Sequence, residues 1–188
     1  MTDFVDNMTN DAARNDELIL VDGLDRQVGV ASKERTHREG LLHRAFSVVL
    51  VRESASGPEL LLAQRAMGKY HSSGMWANSC CSHPRAGEAL MDAAYRRVRE
   101  ELGVKAKDLQ ELTAFVYRAP FENGLVEYEY DHVIVGQCVG ESNPDPQEVA
   151  SVRWIGVDDL AAQLANEPEL FAPWAYTVFS LVIASLVG

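Results

Sequence analysis

The stretch from Ser82 to Val104, SHPRAGEALMDAAYRRVREELGV, decides the fold. Apolar residues recur there at every fourth place and Gly103 follows as a stop, which predicts a helix from Ala89 to Leu102. The end of this helix carries five charges: Arg96, Arg97, Arg99, Glu100 and Glu101. An exposed helix with charge pairs at four-residue spacing is the common explanation for such a set. Because these charges cover more than one face, we expect some of them to point inward.

The segments around this helix predict strands in hairpins, because apolar runs flank turn-like sequences such as the Asn123-Gly124 pair. The predicted strands are Leu18 to Val21, Ala45 to Val51, Leu60 to Ala63, Phe115 to Phe121, Leu125 to Val135 and Ser151 to Val157. The other predicted helices are Asp158 to Ala165, Pro173 to Leu186 and a helical or looped Lys33 to Gly40. This order predicts an α+β fold with a mixed or antiparallel sheet flanked by helices.

Composition restricts the partners of the protein. With 188 residues, of which 47% are hydrophobic, the chain has enough apolar surface for one core, so we expect a loose leader over 1–16 and one domain over 17–188. The net charge of -11 argues against nucleic acid or an anionic membrane as partner. There is no run of about 20 apolar residues and no disulfide-like cysteine spacing, so a cytoplasmic protein is expected. We also expect a monomer or weak homodimer, although no pattern in the sequence determines this.

The segment from Ser82 to Val104 resembles the Nudix box, a loop and helix that bind divalent metal beside a diphosphate. The resemblance implies the Nudix fold, an α/β/α sandwich. The positions that match the box are Ser82, Glu88, Arg96, Glu100, Glu101 and Gly103. Two positions depart from the pattern, since Ser82 replaces a Gly and Arg97 replaces a Glu. The carboxylate cluster of a Nudix hydrolase is therefore incomplete, although Glu101 remains a reasonable ligand for Mg²⁺.

A second segment, Trp76 to Pro84, reads WANSCCSHP and is similar to the Trp-Thr-Asn-Ser-x-Cys-x-His-Pro signature of type 1 isopentenyl diphosphate isomerases. The resemblance spans roughly Leu18 to Phe179 and implies interconversion of isopentenyl and dimethylallyl diphosphate through a tertiary carbocation. The catalytic Cys of that family matches Cys81. Without the family, two adjacent cysteines are most often small buried hydrophobic residues.

Three acidic residues alternate along one predicted strand, so that Glu127, Glu129 and Asp131 share a face. A solvated edge strand explains this pattern about as well as a cation site does. Histidine and carboxylate side chains suit Zn²⁺, Mn²⁺ or related ions, but His37 and His43 alone are a weak signal. The resemblance implies one metal held by His37, His43, His83, Glu127 and Glu129.

The resemblance also implies the remaining parts of an active site. Cys81 and Glu129 would transfer protons and Cys81 would additionally contact metal, with Tyr117 orienting a proton and Trp174 facing the carbocation. The implied diphosphate contacts are Lys33, Arg65, Lys69 and Arg85, assisted by Mg²⁺ on Glu101. A lid that includes residues before Leu18 is expected to close over the site.

Two other functions remain open from the sequence. One is a Nudix hydrolase that uses a metal to activate water, against which Arg97 and the Cys81 segment count. The other is a noncatalytic diphosphate-binding module, against which the joint presence of the site residues counts. His71, His132 and Cys138 match no functional position and are expected to be surface or packing residues.

Overall fold

A computed structural model describes residues 17–187 of the chain. The nine strands in this range are β1 (Glu17–Val21), β2 (Gln27–Ser32), β3 (His43–Ser54), β4 (Gly57–Arg65), β5 (Trp76–Ala77), β6 (Cys80–Ser82), β7 (Lys105–Pro120), β8 (Val126–Val139) and β9 (Val149–Gly156). The four α-helices are α1 (Lys33–Glu39), α2 (Leu90–Leu102), α3 (Val157–Asn166) and α4 (Ala175–Val187), and a short 3₁₀ helix covers Pro168–Leu170.

Strand β3 is the centre of the sheet. It runs parallel to β8 and antiparallel to β4 and β6, and it also pairs with β1 at one position. Beyond these neighbours, β7 pairs with β8, β9 with β4, and β2 with β1. The sheet is therefore mixed, as the sequence predicted, and its one parallel pair joins two segments that are distant in the chain.

Helices cover both faces of this sheet. On one face, Ala94, Val98 and Leu102 of α2 pack with Phe46 and Ile134 from the two central strands. On the other face, α3 and α4 close a second cluster that includes Trp174 and Phe179. This layering is the predicted α/β/α sandwich.

Gly103 ends α2 for a steric reason. Its φ of +67° is a left-handed conformation that residues with a Cβ rarely adopt, and a Cβ here would lie 2.4 Å from the carbonyl oxygen of Asn143. The loop that follows β8 therefore packs directly against the end of α2. This contact fixes the last turn of the helix, which carries Arg97 and Glu101.

The structure differs from the sequence prediction in several elements. Strand β2 and the short strands β5 and β6 were not among the predicted strands, and β7 begins at Lys105, ten residues before the predicted Phe115. The closing helix begins at Ala175, so Pro173 lies in the preceding turn and not in the first helical turn. The predicted leader over 1–16 lies outside the described residues. Within 17–187, no helix has the length and apolar character needed to cross a membrane.

Candidate active site

A cavity at one side of the sheet collects most of the predicted site residues. Side chains from α1, β4, β6, α2, β7 and β8 line it, together with the loop between β4 and β5. The predicted residues that line this cavity are Lys33, Arg65, Lys69, Cys81, His83, Arg85, Glu101, Tyr117, Glu127, Glu129 and Trp174. Strand pairing explains the convergence, since His43 lies opposite Glu129 and Ser47 opposite Cys81.

Three imidazoles and one carboxylate form the deepest part of the site. One potential ligand atom from each of His37, His43, His83 and Glu127 lies within 4.8 Å of all the others. Helix α1 presents His37 because the Ser32 side chain caps its N-terminus and Gly40 ends it at a φ of +61°. Glu129 adjoins this group, with its Oε1 2.9 Å from Nε2 of His83 and 3.5 Å from Nε2 of His43.

The orientation of two histidine rings fits a metal site. Nδ1 of His37 donates to the carbonyl of Lys33 at 2.6 Å, and Nδ1 of His43 donates to the carbonyl of Leu41 at 2.9 Å. These bonds place a lone pair on each Nε2, which faces the group, as is usual in metal-binding histidines. Nε2 of His37 and Oε2 of Glu127 are buried without a hydrogen-bond partner among the described residues. The donor set and its unpaired atoms therefore fit a divalent cation.

The alternating carboxylates are buried and are not a solvated edge. Glu127, Glu129 and Asp131 are 3%, 8% and 1% exposed, so the cation interpretation of their spacing is favoured. Burial and the charge of Glu127 raise the pKa of Glu129, but the neighbouring imidazoles of His43 and His83 outweigh these effects and hold the net pKa below the usual value. Burial and the nearby charge of Glu129 raise the pKa of Asp131 well above its usual value. Two carboxyl groups on the same face of β8 therefore have pKa values shifted in opposite directions, lower for Glu129 and higher for Asp131.

The thiol of Cys81 is fixed by two neighbours. It donates to Oδ1 of Asn78 at 2.9 Å and accepts from Nε1 of Trp174 at 3.0 Å. The amide of Asn78 is itself held, because its Nδ2 donates to the carbonyls of Val48 and Cys80. Burial and the carboxyl of Asp131 raise the pKa of the Cys81 thiol. The sulfur is therefore protonated and oriented, and it lies outside the group of four potential ligands.

Tyr117 connects the aromatic wall to Glu129. Its hydroxyl donates to Oε2 of Glu129 at 2.5 Å, and its ring lies 6.3 Å from that of Trp174. Burial and the charge of Glu129 raise the pKa of Tyr117 well above its usual value, so the phenol keeps its proton. Cys81, Trp174, Tyr117 and Glu129 thus form a continuous series of contacts along the cavity.

The predicted diphosphate contacts lie around the same cavity. The Arg65 guanidinium is 5.3 Å from the centroid of the Trp174 ring, and the Lys33 ammonium is 5.2 Å from that of Tyr70. Lys69 forms an ion pair with Glu148, and Arg85 also lines the cavity. Local cations therefore surround the opening in a protein of strongly negative net charge, which suits an anionic substrate.

The substitution at Arg97 has a structural consequence. Nε and Nη2 of Arg97 lie 3.0 Å and 2.6 Å from Oε1 of Glu101, and Nη2 is 3.5 Å from Oε1 of Glu148. Arg97 and Glu101 have side chains that are 11% and 8% exposed, so these charges point inward, as predicted. The Arg97 guanidinium thus occupies the position at which the Nudix box of a hydrolase has a further carboxylate.

We predict that Arg97→Met lowers the free energy of unfolding by about 3–5 kcal/mol, because it leaves the buried Glu101 carboxylate without its partner. Urea denaturation measures the change. Arg99→Met is the matched control, since Arg99 is on the same helix and exposed, and it should change stability little. Equal stability of the two variants would contradict the assignment of Arg97 as the counterion of Glu101.

The two remaining histidines, His71 and His132, are both buried beside carboxylates. His71 was expected to be a surface or packing residue, but its Nε2 lies 2.5 Å from Oε1 of Glu127 and it lines the cavity. No periodic pattern marks it, because it lies in the irregular loop after β4. His132 is buried outside the cavity, between Glu111 and Asp25. The structure also adds Asn78, which the sequence showed only as part of the WANSCCSHP segment.

Comparison with known proteins identifies the family of the chain. A family model described as the NUDIX domain matches residues 41–175. An isopentenyl-diphosphate Delta-isomerase of Burkholderia multivorans is 52% identical over 159 residues, which are 85% of this chain and 88% of the relative. An isopentenyl-diphosphate Delta-isomerase of Photobacterium profundum is 46% identical over 91% of this chain and 96% of its own length.

Solved structures with low sequence identity share the fold. A Deinococcus radiodurans crystal structure superposes with a TM-score of 0.69 at 19% identity, covering 92% of this chain and all of its own chain. A MutT NUDIX hydrolase of Burkholderia pseudomallei has a TM-score of 0.59 at 18% identity, over 75% of this chain and 98% of that hydrolase. At these identities the comparison supports the fold alone.

Proposed function

Because the chain belongs to the NUDIX domain family and, within it, to the isopentenyl-diphosphate Delta-isomerases, we propose that Cys81 and Glu129 move the double bond of its substrate. The protein interconverts isopentenyl diphosphate and dimethylallyl diphosphate, a step of isoprenoid biosynthesis. One observation carries the assignment of residues. The thiol of Cys81 and the carboxylate of Glu129 line the same cavity, and Trp174 and Tyr117 connect them.

The reaction requires one proton to be added and another removed. A donor gives a proton to the terminal methylene of isopentenyl diphosphate, which leaves a tertiary carbocation, and an acceptor takes a proton from the adjacent methylene to form the new double bond. The direction of the two pKa shifts supports such a pair, since Cys81 holds a proton at neutral pH and Glu129 does not. The back reaction uses the same two groups with their protons exchanged.

The surrounding side chains act on the carbocation and on the proton positions. The guanidinium of Arg65 lies over the Trp174 ring, 5.3 Å from its centroid, which supports a role for this ring in attracting positive charge. Tyr117 holds the second oxygen of Glu129, so one oxygen of this carboxylate is directed by a phenol and the other by His83. The burial of these groups keeps water from the carbocation.

The expected metals follow from the donor atoms. We assign Mn²⁺ or Zn²⁺ to His37, His43, His83, Glu127 and Glu129. Bound there, the ion would fix the carboxylate of Glu129 and offset the charge of the buried acidic residues. The expected contact of Cys81 with this ion is not retained, because its protonated sulfur lies outside the group of four potential ligands. Mg²⁺ would accompany the diphosphate at Glu101, because Arg97 engages only Oε1 of this carboxylate.

The diphosphate and the cell compartment complete the proposal. Lys33, Arg65, Lys69 and Arg85 bind the diphosphate, which places the five-carbon chain toward Cys81 and Trp174. We expect a cytoplasmic enzyme that is a monomer or weak homodimer with no nucleic-acid or membrane partner, and one catalytic domain over 17–188. The expected lid before Leu18 lies outside the described residues.

Phosphate release separates this function from the hydrolase alternative. With divalent metal present, the protein should consume isopentenyl diphosphate without releasing inorganic phosphate or diphosphate. It should also leave the phosphoanhydride bonds of nucleoside diphosphate sugars and dinucleotide polyphosphates intact, because Arg97 replaces a box carboxylate. Phosphorus NMR of each mixture detects inorganic phosphate as well as the monophosphate products that cleavage of these bonds would give. Hydrolysis of any of these compounds at a rate above isomerisation would contradict the proposal.

A further inference from the structure

We propose that His71 is a positioning residue of the histidine–carboxylate centre, which donates its Nε2 hydrogen to Oε1 of Glu127 and thereby directs Oε2 toward the ion. The proposal rests on the proposed function, because it assumes that this centre holds a divalent cation. His71 matches no functional position of the resemblance described above. Its role therefore comes from the geometry of this chain.

The contacts of Glu127 define what His71 does. Oε1 of Glu127 lies 2.5 Å from Nε2 of His71 and 3.2 Å from Nε2 of His37. Oε2 is buried and has no hydrogen-bond partner among the residues that the structure describes, and it lies 3.9 Å from Nε2 of His43. One oxygen is thus held by a donor while the other faces an imidazole nitrogen. This is the usual arrangement of a ligating carboxylate with an outer hydrogen bond.

The ring of His71 is held in place on several sides. It stacks on Phe121 with centroids 4.5 Å apart and planes inclined by 17°, and it makes an edge contact with Tyr70. Its side chain is 4% exposed, and its Nδ1 lies 3.3 Å from Oγ of Ser72, which can donate to it. A neutral ring with its hydrogen on Nε2 satisfies both nitrogens. The contacts of the ring therefore determine both its position and its tautomer, with the hydrogen on the nitrogen that donates to Glu127.

The backbone next to His71 is in an unfavourable conformation. Ser72 has a φ of +48°, a left-handed value that costs a residue with a side chain on the order of 1 kcal/mol or more. The carbonyl of His71 accepts a hydrogen bond from Nη2 of Arg65 at 3.2 Å. These features turn the side chain of His71 into the cavity and connect its loop to an arginine at the diphosphate end.

Another histidine of equal burial provides the control. As whole residues, His132 and His71 are each 7% exposed. His132 lies within 3.2 Å of two carboxylates, Glu111 and Asp25. It does not line the cavity. A change that depends only on removing a buried histidine should therefore appear at both positions. A change in metal affinity should appear only at His71.

The test measures Zn²⁺ affinity of the purified full chain by competition with a chromophoric chelator. Zn²⁺ is the probe because it binds sites that contain imidazole ligands in preference to sites made only of carboxylates. His71→Phe keeps the stack on Phe121 but cannot donate, and it should bind Zn²⁺ about 10- to 100-fold more weakly than wild type. His71→Gln, whose amide nitrogen can reach Glu127, should recover most of the affinity. His132→Gln should bind as wild type does.

The outcomes separate this inference from the proposed function. Equal Zn²⁺ affinity of wild type and His71→Phe, or equal losses in His71→Phe and His71→Gln, would overturn the role of His71 alone. Wild-type protein that binds no Zn²⁺ would overturn the metal centre itself and this inference with it. If His71→Phe does not fold, His71→Met replaces it in the same comparison, because methionine also lacks a donor.

Discussion

Cys81→Ala will lower the rate of isomerisation by about 10²–10⁴-fold, the contribution typical of a positioned proton-transfer group. The Cys81 thiol donates to Asn78 and accepts from Trp174. Alanine therefore removes the group that carries the proton but keeps Asn78 and Trp174. The change should appear mainly in kcat, because the cationic diphosphate contacts lie elsewhere in the cavity. Steady-state kinetics with isopentenyl diphosphate measures it.

The other two cysteines are the controls for this variant. Cys80 is adjacent to Cys81 and borders the same cavity, but it is 1% exposed and packs in the cluster beneath α2, on the opposite face of the sheet. Cys138 packs at the edge of the same cluster. Cys80→Ala and Cys138→Ala should therefore keep most of the activity. Comparable losses in Cys80→Ala and Cys81→Ala would mean that the assignment between the two adjacent cysteines is wrong.

Glu127→Gln will weaken binding of the divalent ion by at least about 100-fold, since loss of an outer hydrogen bond to a ligand already costs 10- to 100-fold. Glutamine keeps the shape of the side chain but removes the charge, and it places an amide group among three imidazoles. Isomerase activity should fall with metal content. Equilibrium dialysis against Mn²⁺ or Zn²⁺, followed by elemental analysis, measures the change.

A carboxylate outside the centre is the control for Glu127. Glu111 also pairs with a histidine, because its Oε1 lies 2.7 Å from Nδ1 of His132. It is an exposed residue of β7 and does not line the cavity. Glu111→Gln should leave metal content and activity unchanged. If Glu127→Gln retains the metal content of wild type, the four-residue group does not hold the ion.

The elements with strong local patterns could be predicted from the sequence. Helix α2 was predicted within one residue because its apolar residues have one period and Gly103 must adopt a left-handed conformation. The turn between β7 and β8 was predicted from Asn123 and Gly124, and Gly124 has a φ of +82°. In both cases the local sequence alone restricts the backbone, so that tertiary contacts are not needed for the prediction.

The elements that were missed depend on tertiary contacts. Strand β2 is largely exposed and has one partner, so its sequence QVGVAS has no buried face to mark it. The first part of β7, KAKDLQELTA, is rich in charged and polar residues and is held in the sheet by pairing with β8. Register shifts also interrupt this pairing, which removes the simple alternation that predicts a strand.

The sequence named most of the residues that the structure brings together around the cavity, but not their arrangement. The spacing of Glu127, Glu129 and Asp131 fits a solvated edge strand as well as a buried strand. In the fold β8 lies between β3 and β7, so it is not an edge strand. His71 has no pattern around it, so its contact with Glu127 follows from the loop conformation alone. Arg97 was recognised as a departure from the box, but the sequence did not show that it pairs with Glu101, which stays the proposed ligand of Mg²⁺.

Proton NMR in deuterated water tests the central claim most directly. The protein, loaded with Mn²⁺ or Zn²⁺ and supplied with Mg²⁺, is mixed with isopentenyl diphosphate, and the product is followed in time. The account predicts dimethylallyl diphosphate with deuterium in its newly formed methyl group, an intact diphosphate, and conversion by Cys81→Ala that is about 10²–10⁴-fold slower than by wild type. Absence of conversion by metal-loaded wild type, or release of phosphate in place of isomerisation, would contradict it.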